Sequence, residues 1–447
     1  MTRDPPLHPG LPILGSLLDF QGNRAHMLLR AAQRYGPVVM FRIGPRRITL
    51  LAEPDLIAEM LTRNHDHYLK ETRAMKMMRD GLGRGLLTND GPDWARQRRV
   101  TAPVFRRDNL EDFASLILAG AQTQADAWAA LPDGSVLDVV PEFHRLSMRI
   151  AGHAFLGQDV GPLADRLRES FNAAITLTTK RILSPFSTPL WVPTPTNRLM
   201  LRHVHTLDTS IAGLIRARRE SGEESQDFLG RLMAARDPET GEPMSDAQLL
   251  VEVKTLFIAG FETVSNALSW SVYELGRNPQ WLARLREEAD RVLDGTPVTL
   301  ARVRELELTR RVFAESLRHY SPIWAVSRVP IEDETVGDYR LPKGSWVFPS
   351  PYVLHHLEAY WPDPQRWDPD RFSPEATAER PKNAYIPYLI GPRRCIGEHF
   401  AQLEGVLILA TLAQHASWTT LGEVEAEPFV TLRPASPIRI RMHRDPG

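Results

Sequence analysis

A single cysteine in a chain of 447 residues, Cys395, stands in the stretch Tyr388-Leu389-Ile390-Gly391-Pro392-Arg393-Arg394-Cys395-Ile396-Gly397. A helix-like run from Glu398 to His415 follows at once. A lone cysteine is ordinarily an inert, buried small hydrophobe. This one is placed where a helix begins, so unpaired backbone N–H groups and the helix dipole favour thiolate over thiol. Gly391 and Gly397 have no side chains, which lets a large flat ligand approach the backbone closely. Arg393 and Arg394 add positive charge that depresses the thiol pKa further or pairs with carboxylates on that ligand. One soft, anionic sulfur without other cysteine or histidine ligands nearby argues against zinc and iron–sulfur clusters, which need several protein ligands. A haem needs one.

Three other groupings could do chemistry. Glu315 and Arg318, at i and i+3 in Glu315-Ser316-Leu317-Arg318, fall on a helix that Ser321-Pro322 should end. Such a pair is either an exposed ion pair of little worth or, because Glu315 continues the row of Leu308 and Val312, a partly buried acid that must find a partner. Ala259-Gly260-Phe261-Glu262-Thr263 lies in the middle of a helical run over residues 245–276, with Ser245 as N-cap, Gly276 as C-cap and Asn278-Pro279 just beyond. A helix of about 30 residues spans roughly 45 Å, enough to cross the whole domain. Glycine weakens it there and the Thr263 hydroxyl can compete for a backbone carbonyl, so a local bend is predicted; a tolerated glycine beside a core threonine accounts for the same residues. Trp94 and Arg98, at i and i+4 after Pro92, share one helical face. By themselves they make a surface pair of cation and aromatic ring.

Taken in order along nearly the whole chain, these motifs resemble the cytochrome P450 family. The resemblance implies that Gly391, Arg393, Cys395 and Gly397 belong to the haem-binding loop, with Cys395 as axial ligand of iron protoporphyrin IX. The sequence departs from the family's common pattern at Tyr388, where phenylalanine is usual, and at Leu389, where glycine is frequent. By the same resemblance Glu315 and Arg318 network with Arg371 of Pro369-Asp370-Arg371-Phe372 in a structural role, bracing the loop that presents the cysteine. Glu262 and Thr263 fit the acid and alcohol that handle protons for oxygen activation on the distal face, a sensible task in a largely dry pocket. Trp94, Arg98, Arg328 and Arg393 would face the haem propionates, work that suits an always-charged, bidentate guanidinium. Phe257, Phe261, Ile323, Trp324, Val326 and Ser436 would line the substrate pocket.

The expected activity is that of a haem-thiolate monooxygenase inserting one oxygen atom from O2 into a C–H or C=C bond of an apolar small molecule, by hydroxylation or epoxidation. A terpene, fatty acyl or aromatic substrate suits that lining equally. No reductase is fused to the chain, so electrons are expected from separate partners, a ferredoxin and a ferredoxin reductase docking near Cys395. A peroxide-using or isomerising haem-thiolate enzyme is the first alternative, and a non-catalytic haem sensor the second; Glu262-Thr263 and lid-like loops argue against the sensor.

The elements that must position these residues are mostly helical. Apolar residues recur at helical spacing, as in Trp281, Leu282, Leu285 and Val292, or Phe400, Leu403, Leu407 and Ala410. Residues 38–43 and 48–51, rich in β-branched side chains, flank Gly44-Pro45-Arg46 and read as a hairpin. With no internal repeat and no low-complexity linker, the expectation is one domain over residues 1–447, mainly α with minor β: a single large helical domain with a small β-sheet region, in the P450 fold. Two stretches read as loops with a function. Residues 184–196, with Pro185, Pro189, Pro193, Pro195 and Trp191, are expected to be non-helical and semi-rigid, and residues 73–90, with Gly81, Gly83 and Gly85, flexible.

Composition narrows the class further. At 43% hydrophobic and 24% charged residues the chain is neither disordered nor fibrous, and a formal net charge of -1 gives no footprint for nucleic acid. No segment reaches the roughly 20 apolar residues of a membrane span, no secretory signal opens the chain, and one cysteine makes no intrachain disulfide. A cytoplasmic monomer is expected.

Overall fold

The helix Asp246–Arg277 organises the packing. The computed structural model describes residues 2–444 apart from 107–108, 158–160, 185–186, 223–225 and 297, and this helix is buried through most of its 32 residues. It starts where the sequence predicts, the Ser245 side chain accepting from Gln248 N at 3.2 Å. The helices Val139–Leu156, Glu307–His319 and Glu398–His415 pack around it, so it runs through the core instead of over it.

Its end differs from the expectation. Gly276 is not the cap: the helix continues through it to Arg277, with Asn278 as C-cap and Pro279 opening the next helix. A Cβ on Gly276 would stand 2.4 Å from Thr420 Oγ1. Glycine is therefore required for the close passage of strand Ser417–Leu421, not for chain termination.

The sheets are small, and the architecture is mainly α with minor β. Val38–Ile43 pairs antiparallel with Arg46–Leu51 from Val38↔Leu51 to Ile43↔Arg46, and Arg46–Leu51 pairs parallel with Trp346–Pro349. Arg46 thus joins the second strand, and Gly44, at φ 56°, makes the turn. A second sheet is built from Val136–Asp138, Arg439–His443 and Ser417–Leu421. A short hairpin, Ala426–Pro428 with Leu432–Pro434, returns its turn at residues 429–431 toward the long helix. Among the described residues no helix is long and apolar enough to cross a membrane.

Both expected loops contain helix at one end. Residues 73–90 open as the helix Arg73–Leu82, capped by Thr72, whose hydroxyl accepts from Met75 N at 3.4 Å. The glycines beyond report packing instead of mobility: a Cβ on Gly83 would meet Val251 Cγ2 at 2.9 Å, and one on Gly85 would meet Thr255 Oγ1 at 2.7 Å. In residues 184–196, Pro185 lies outside the described residues, residues 187–194 are a loop, and the helix Pro195–Ser221 begins two residues earlier than expected. Proline is favourable at a first helical position, where no N–H is needed. The Asn197 amide fastens the loop by donating to the carbonyls of Pro189 at 2.8 Å and Val192 at 2.9 Å.

The helix Glu398–His415 is apolar on nearly every face yet carries Glu404, fully buried, with Oε1 lacking a hydrogen-bond partner. Burial pushes this carboxyl from an ordinary 4.5 up to about 8. Between those two values the folded chain holds a proton that the unfolded chain releases, so stability falls as pH rises through that window. Glu404→Gln keeps the shape and removes the ionisation. Its melting temperature, followed by circular dichroism, should exceed the parent's by roughly 3 °C at pH 8, the gap closing toward pH 5; a gap independent of pH would contradict this account.

Candidate functional site

The loop ahead of the helix Glu398–His415 is shaped by its own backbone. Cys395 N donates to Tyr388 O at 2.9 Å and Arg394 N to Gly391 O at 3.0 Å, folding residues 388–395 back on themselves. Leu389 holds φ 59° and Gly391 φ 77°. Leucine in the left-handed region costs roughly 1–2 kcal/mol, a strain at the position where the family frequently has glycine. Gly391 does not serve ligand approach, as the sequence suggested: a Cβ there would lie 2.0 Å from the Leu61 carbonyl oxygen, so it accommodates the neighbouring backbone. Gly397 does face open space, the nearest atom to a Cβ being Phe105 Cε1 at 4.0 Å.

Cys395 keeps solvent access while protein surrounds the rest of it. Burial pushes its thiol up and Glu398 reinforces that, while the Gly397 N–H hydrogen bond, Arg98 and Arg394 pull it down. The net direction is upward, opposite to the sequence expectation, because desolvation outweighs the dipole and the arginines. Arg394 spends itself on a surface ion pair with Glu398.

Beside the cysteine lies a buried cationic cluster. The helix Gly91–Thr101 presents Trp94, over whose ring the Arg393 guanidinium sits 4.6 Å from the centroid. Arg393 pairs with Asp90, whose Oδ2 also accepts from Lys70 N at 2.6 Å. Lys70 Nζ donates to the carbonyls of Leu86 at 3.1 Å and Leu87 at 2.9 Å. Arg328 is buried and donates to its neighbour's carbonyl, Ser327 O, at 3.0 Å. Burial, with Arg393 next, pushes Arg328 down to about 10, and burial with Arg328 and Arg393 holds Lys70 well below the usual lysine range. Arg98, one turn beyond Trp94, interacts electrostatically with Cys395 instead. Lys70 and Asp90 had been missed: neither has a local sequence signal, and only the fold brings them to Arg328 and Arg393.

Three buried cations thus surround one carboxylate, and Arg393 Nε has no hydrogen-bond partner. Buried charge left unbalanced costs several kcal/mol. A ligand carrying two carboxylates and a flat body open to Gly397 and Cys395 balances that excess, and the two propionates of haem meet this requirement.

The middle of the long helix carries the other expected pair. Thr263 Oγ1 donates to Ala259 O at 2.8 Å, the i−4 bond that loosens a helix, and Ala259 is exposed in an otherwise buried run. The Glu262 carboxyl accepts from Thr431 Oγ1 at 2.8 Å, to which Asn266 Nδ2 also donates at 3.3 Å. Burial pushes Glu262 up, against the Thr431 hydrogen bond and Arg433. Thr431 and Asn266 were not foreseen, since Thr431 lies 169 residues from Glu262.

The expected pocket lining is only partly assembled. Phe257 and Phe261 are fully buried in an aromatic group with Phe171, at centroid distances of 5.3 and 5.9 Å. At about 100° per residue they project opposite Ala259 and Thr263, into the core. Ser436 is exposed, beyond the strand Leu432–Pro434. Ile323, Trp324 and Val326 are half-buried, and Trp324 Nε1 donates to Phe429 O at 2.9 Å, tying that segment to the 429–431 turn.

Glu315 and Arg318 are an ion pair with neither side chain exposed, joined at 2.7 and 2.8 Å. Arg318 also donates to the carbonyls of His355 at 2.9 Å and Pro364 at 3.0 Å, Glu315 accepts from Asp368 N at 2.9 Å, and Arg371 Nε lies 3.6 Å from Glu315. His355 Nε2 in turn accepts from Ile386 N at 3.0 Å, and Tyr385 donates to Ala314 O at 3.0 Å. The network therefore reaches the start of the cysteine loop.

The family model for cytochrome P450 matches residues 5–441. Cyclooctatin synthase of Streptomyces melanosporofaciens is 33% identical over 90% of this chain and 87% of its own. Pentalenene oxygenase of Streptomyces avermitilis is 32% identical over 98% of this chain and 97% of its own. Cyclooctat-9-en-7-ol 5-monooxygenase of Streptomyces melanosporofaciens is 30% identical over 91% and 87%. The chain belongs to the cytochrome P450 family. Its cofactor is haem, and its activity is that of a haem-thiolate monooxygenase.

Lys70→Met separates the two states of this site. In the haem-free chain it removes repulsion among buried cations, so the melting temperature should hold or rise. In the loaded protein it removes a cation from the cluster that would balance the ligand's carboxylates, and transfer of haem to excess apomyoglobin should quicken about tenfold, the equivalent of one charge-assisted hydrogen bond. Unchanged haem transfer would remove Lys70 from the site.

Proposed function

We propose that Cys395 would ligate the haem iron, that Trp94, Arg98, Arg328 and Arg393, joined by Lys70, would hold the group through its propionates, and that Glu262 and Thr263 would handle protons for oxygen activation. What supports this is one accessible sulfur, an excess of buried positive charge beside its loop, and the Thr263 bond to Ala259 O in an exposed stretch of the long helix. When bound, haem supplies the activation of O2. The protein's own share is positional and electrostatic. Arg328 and Arg393 neutralise the carboxylates at the edge of the group, and the Gly397 N–H bonds the cysteine sulfur. Burial keeps Glu262 protonated to higher pH than an ordinary carboxylic acid, so it can act as a donor. The Thr263 hydroxyl, its proton on Ala259 O, offers its lone pairs to a proton arriving in the cleft. Glu315, Arg318 and Arg371 act structurally, holding the cysteine loop rigid.

The substrate is a lipophilic small molecule, terpenoid in character. Two features support this: an apolar segment at Ile323, Trp324 and Val326, and relatives named for pentalenene and cyclooctat-9-en-7-ol. A ferredoxin with its reductase donates electrons on the Cys395 side, where Arg394 and neighbouring surface are exposed. The chain works as one domain, as a monomer in the cytoplasm.

The carbon monoxide difference spectrum of the reduced protein should show the red-shifted Soret band of a thiolate-ligated iron, and Cys395→Ser should abolish it. Persistence of that band in the serine variant would refute the ligand assignment. Thr263→Ala should lower O2-driven turnover about a hundredfold, the scale of one proton-transfer group, while sparing peroxide-driven turnover; equal loss by both routes would count against a proton role.

A further inference from the structure

The strands Tyr68–Leu69 and Val329–Pro330 pair antiparallel, Tyr68 opposite Pro330, and Ile331 N donates to His67 O at 3.0 Å. Backbone pairing thereby holds His67 beside residues 332–334. His67 Nδ1 lies 2.8 Å from Glu334 Oε1, and one donor atom from each of His67, Glu332 and Glu334 lies within 4.8 Å of the other two. Asp66 Oδ1 stands 3.9 Å from Nε2, the far nitrogen of the same ring. None of these groups belongs to the haem site described above.

Negative charge exceeds positive here. Asp333, between the two glutamates, pairs with Arg340 at 2.9 Å and also accepts from Lys343 N at 2.9 Å. Among the described residues no lysine or arginine lies in ion-pair range of Asp66, Glu332 or Glu334, so three carboxylates share one imidazole. The Glu334 side chain is only 11% exposed. Its charge is felt by Tyr68, a buried phenol whose oxygen has no hydrogen-bond partner: burial pushes that phenol up, and Glu334 and then Glu59 push it further. Charge so poorly hydrated is costly until a cation meets it.

An imidazole nitrogen with two carboxylate oxygens is a donor set for zinc-class ions. Bonds of about 2.0–2.2 Å put the ligand atoms around such an ion roughly 3–3.5 Å apart, a span that side-chain rotation closes from the present one. We propose that His67, Glu332 and Glu334 bind a divalent transition-metal ion of the zinc class, with water in the remaining position. Asp66 steadies the ligating imidazole from its far nitrogen, the usual place for a supporting carboxylate. The ion ties the chain at His67 to the strand Glu334–Val336 and so reinforces a strand pair that leads directly into Lys70 and Arg328.

Calorimetric titration of the chelator-treated, haem-loaded chain with zinc chloride tests this, with magnesium chloride as control. The tightest zinc site of the parent should weaken at least about tenfold in His67→Gln and in Glu332→Gln. Magnesium, which prefers an all-oxygen shell, should not compete. Glu332 is exposed, so its glutamine variant keeps the fold and separates loss of a ligand from loss of structure. With zinc in about a hundredfold excess over its dissociation constant, the melting temperature should rise by roughly 3 °C in the parent and stay put in Glu332→Gln. Absence of zinc binding, zinc binding that neither variant weakens, or magnesium binding as tight as that of zinc would each overturn the proposal, the last by reducing the site to an acidic surface.

Discussion

The ion pair between Glu315 and Arg318, wholly out of solvent, is the contact on which the placement of the sulfur depends. Removing one partner of such a pair leaves an uncompensated buried charge, at about 3–5 kcal/mol. Beyond each other the pair binds mainly backbone, the carbonyls of His355 and Pro364 and the N–H of Asp368, with the Arg371 and His319 side chains alongside. Segments distant in sequence are thereby held to one helix, and the bonds from His355 and Tyr385 extend that hold to Ile386. Burial and Arg318 keep His355 well below the usual imidazole range, so its Nε2 remains an acceptor for the Ile386 N–H. The loop can then carry a strained leucine at residue 389 because its two ends are fixed independently.

Around the sulfur the protein accumulates charge that it does not itself balance. Lys70, Arg328 and Arg393 share Asp90, and Cys395 has Arg98 within electrostatic reach. Such an arrangement is unfavourable in the empty chain and favourable with a dianionic edge in place, so ligand binding and folding are linked. On the other face the polarity is reversed in kind: Glu262 is an acid pressed toward its neutral form by burial and steadied by Thr431. The cations gather beside the cysteine loop, whereas the buried Glu262 and the Thr263 hydroxyl bonded to Ala259 O belong to the long helix.

Sequence and structure agree where the signal is local. The hairpin at residues 38–51, the N-cap at Ser245, the helix Glu398–His415 and the Thr263 bond to Ala259 all follow from side-chain type and short-range spacing. They disagree where one residue type serves two purposes. Glycine marks flexibility, termination or ligand approach in a linear reading, yet Gly83, Gly85, Gly276 and Gly391 are each required by a neighbouring element that comes within 3 Å of a missing Cβ. Phe257 and Phe261 share the apolar character of a pocket lining, and only the rotation of the helix against Phe171 turns them into core.

The sequence by itself determined the class of chemistry: one sulfur able to ligate iron ahead of a helix, a threonine positioned to loosen another, and an acid and arginine one turn apart. These are properties of residues within a few positions of one another, governed by bond geometry and helical pitch. Tertiary structure alone decided which charges share a dielectric. Lys70 and Asp90 join Arg328 and Arg393, Thr431 reaches Glu262, and His67 meets Glu332 and Glu334, because the energy of a charge depends on what surrounds it in space and not on its neighbours along the chain.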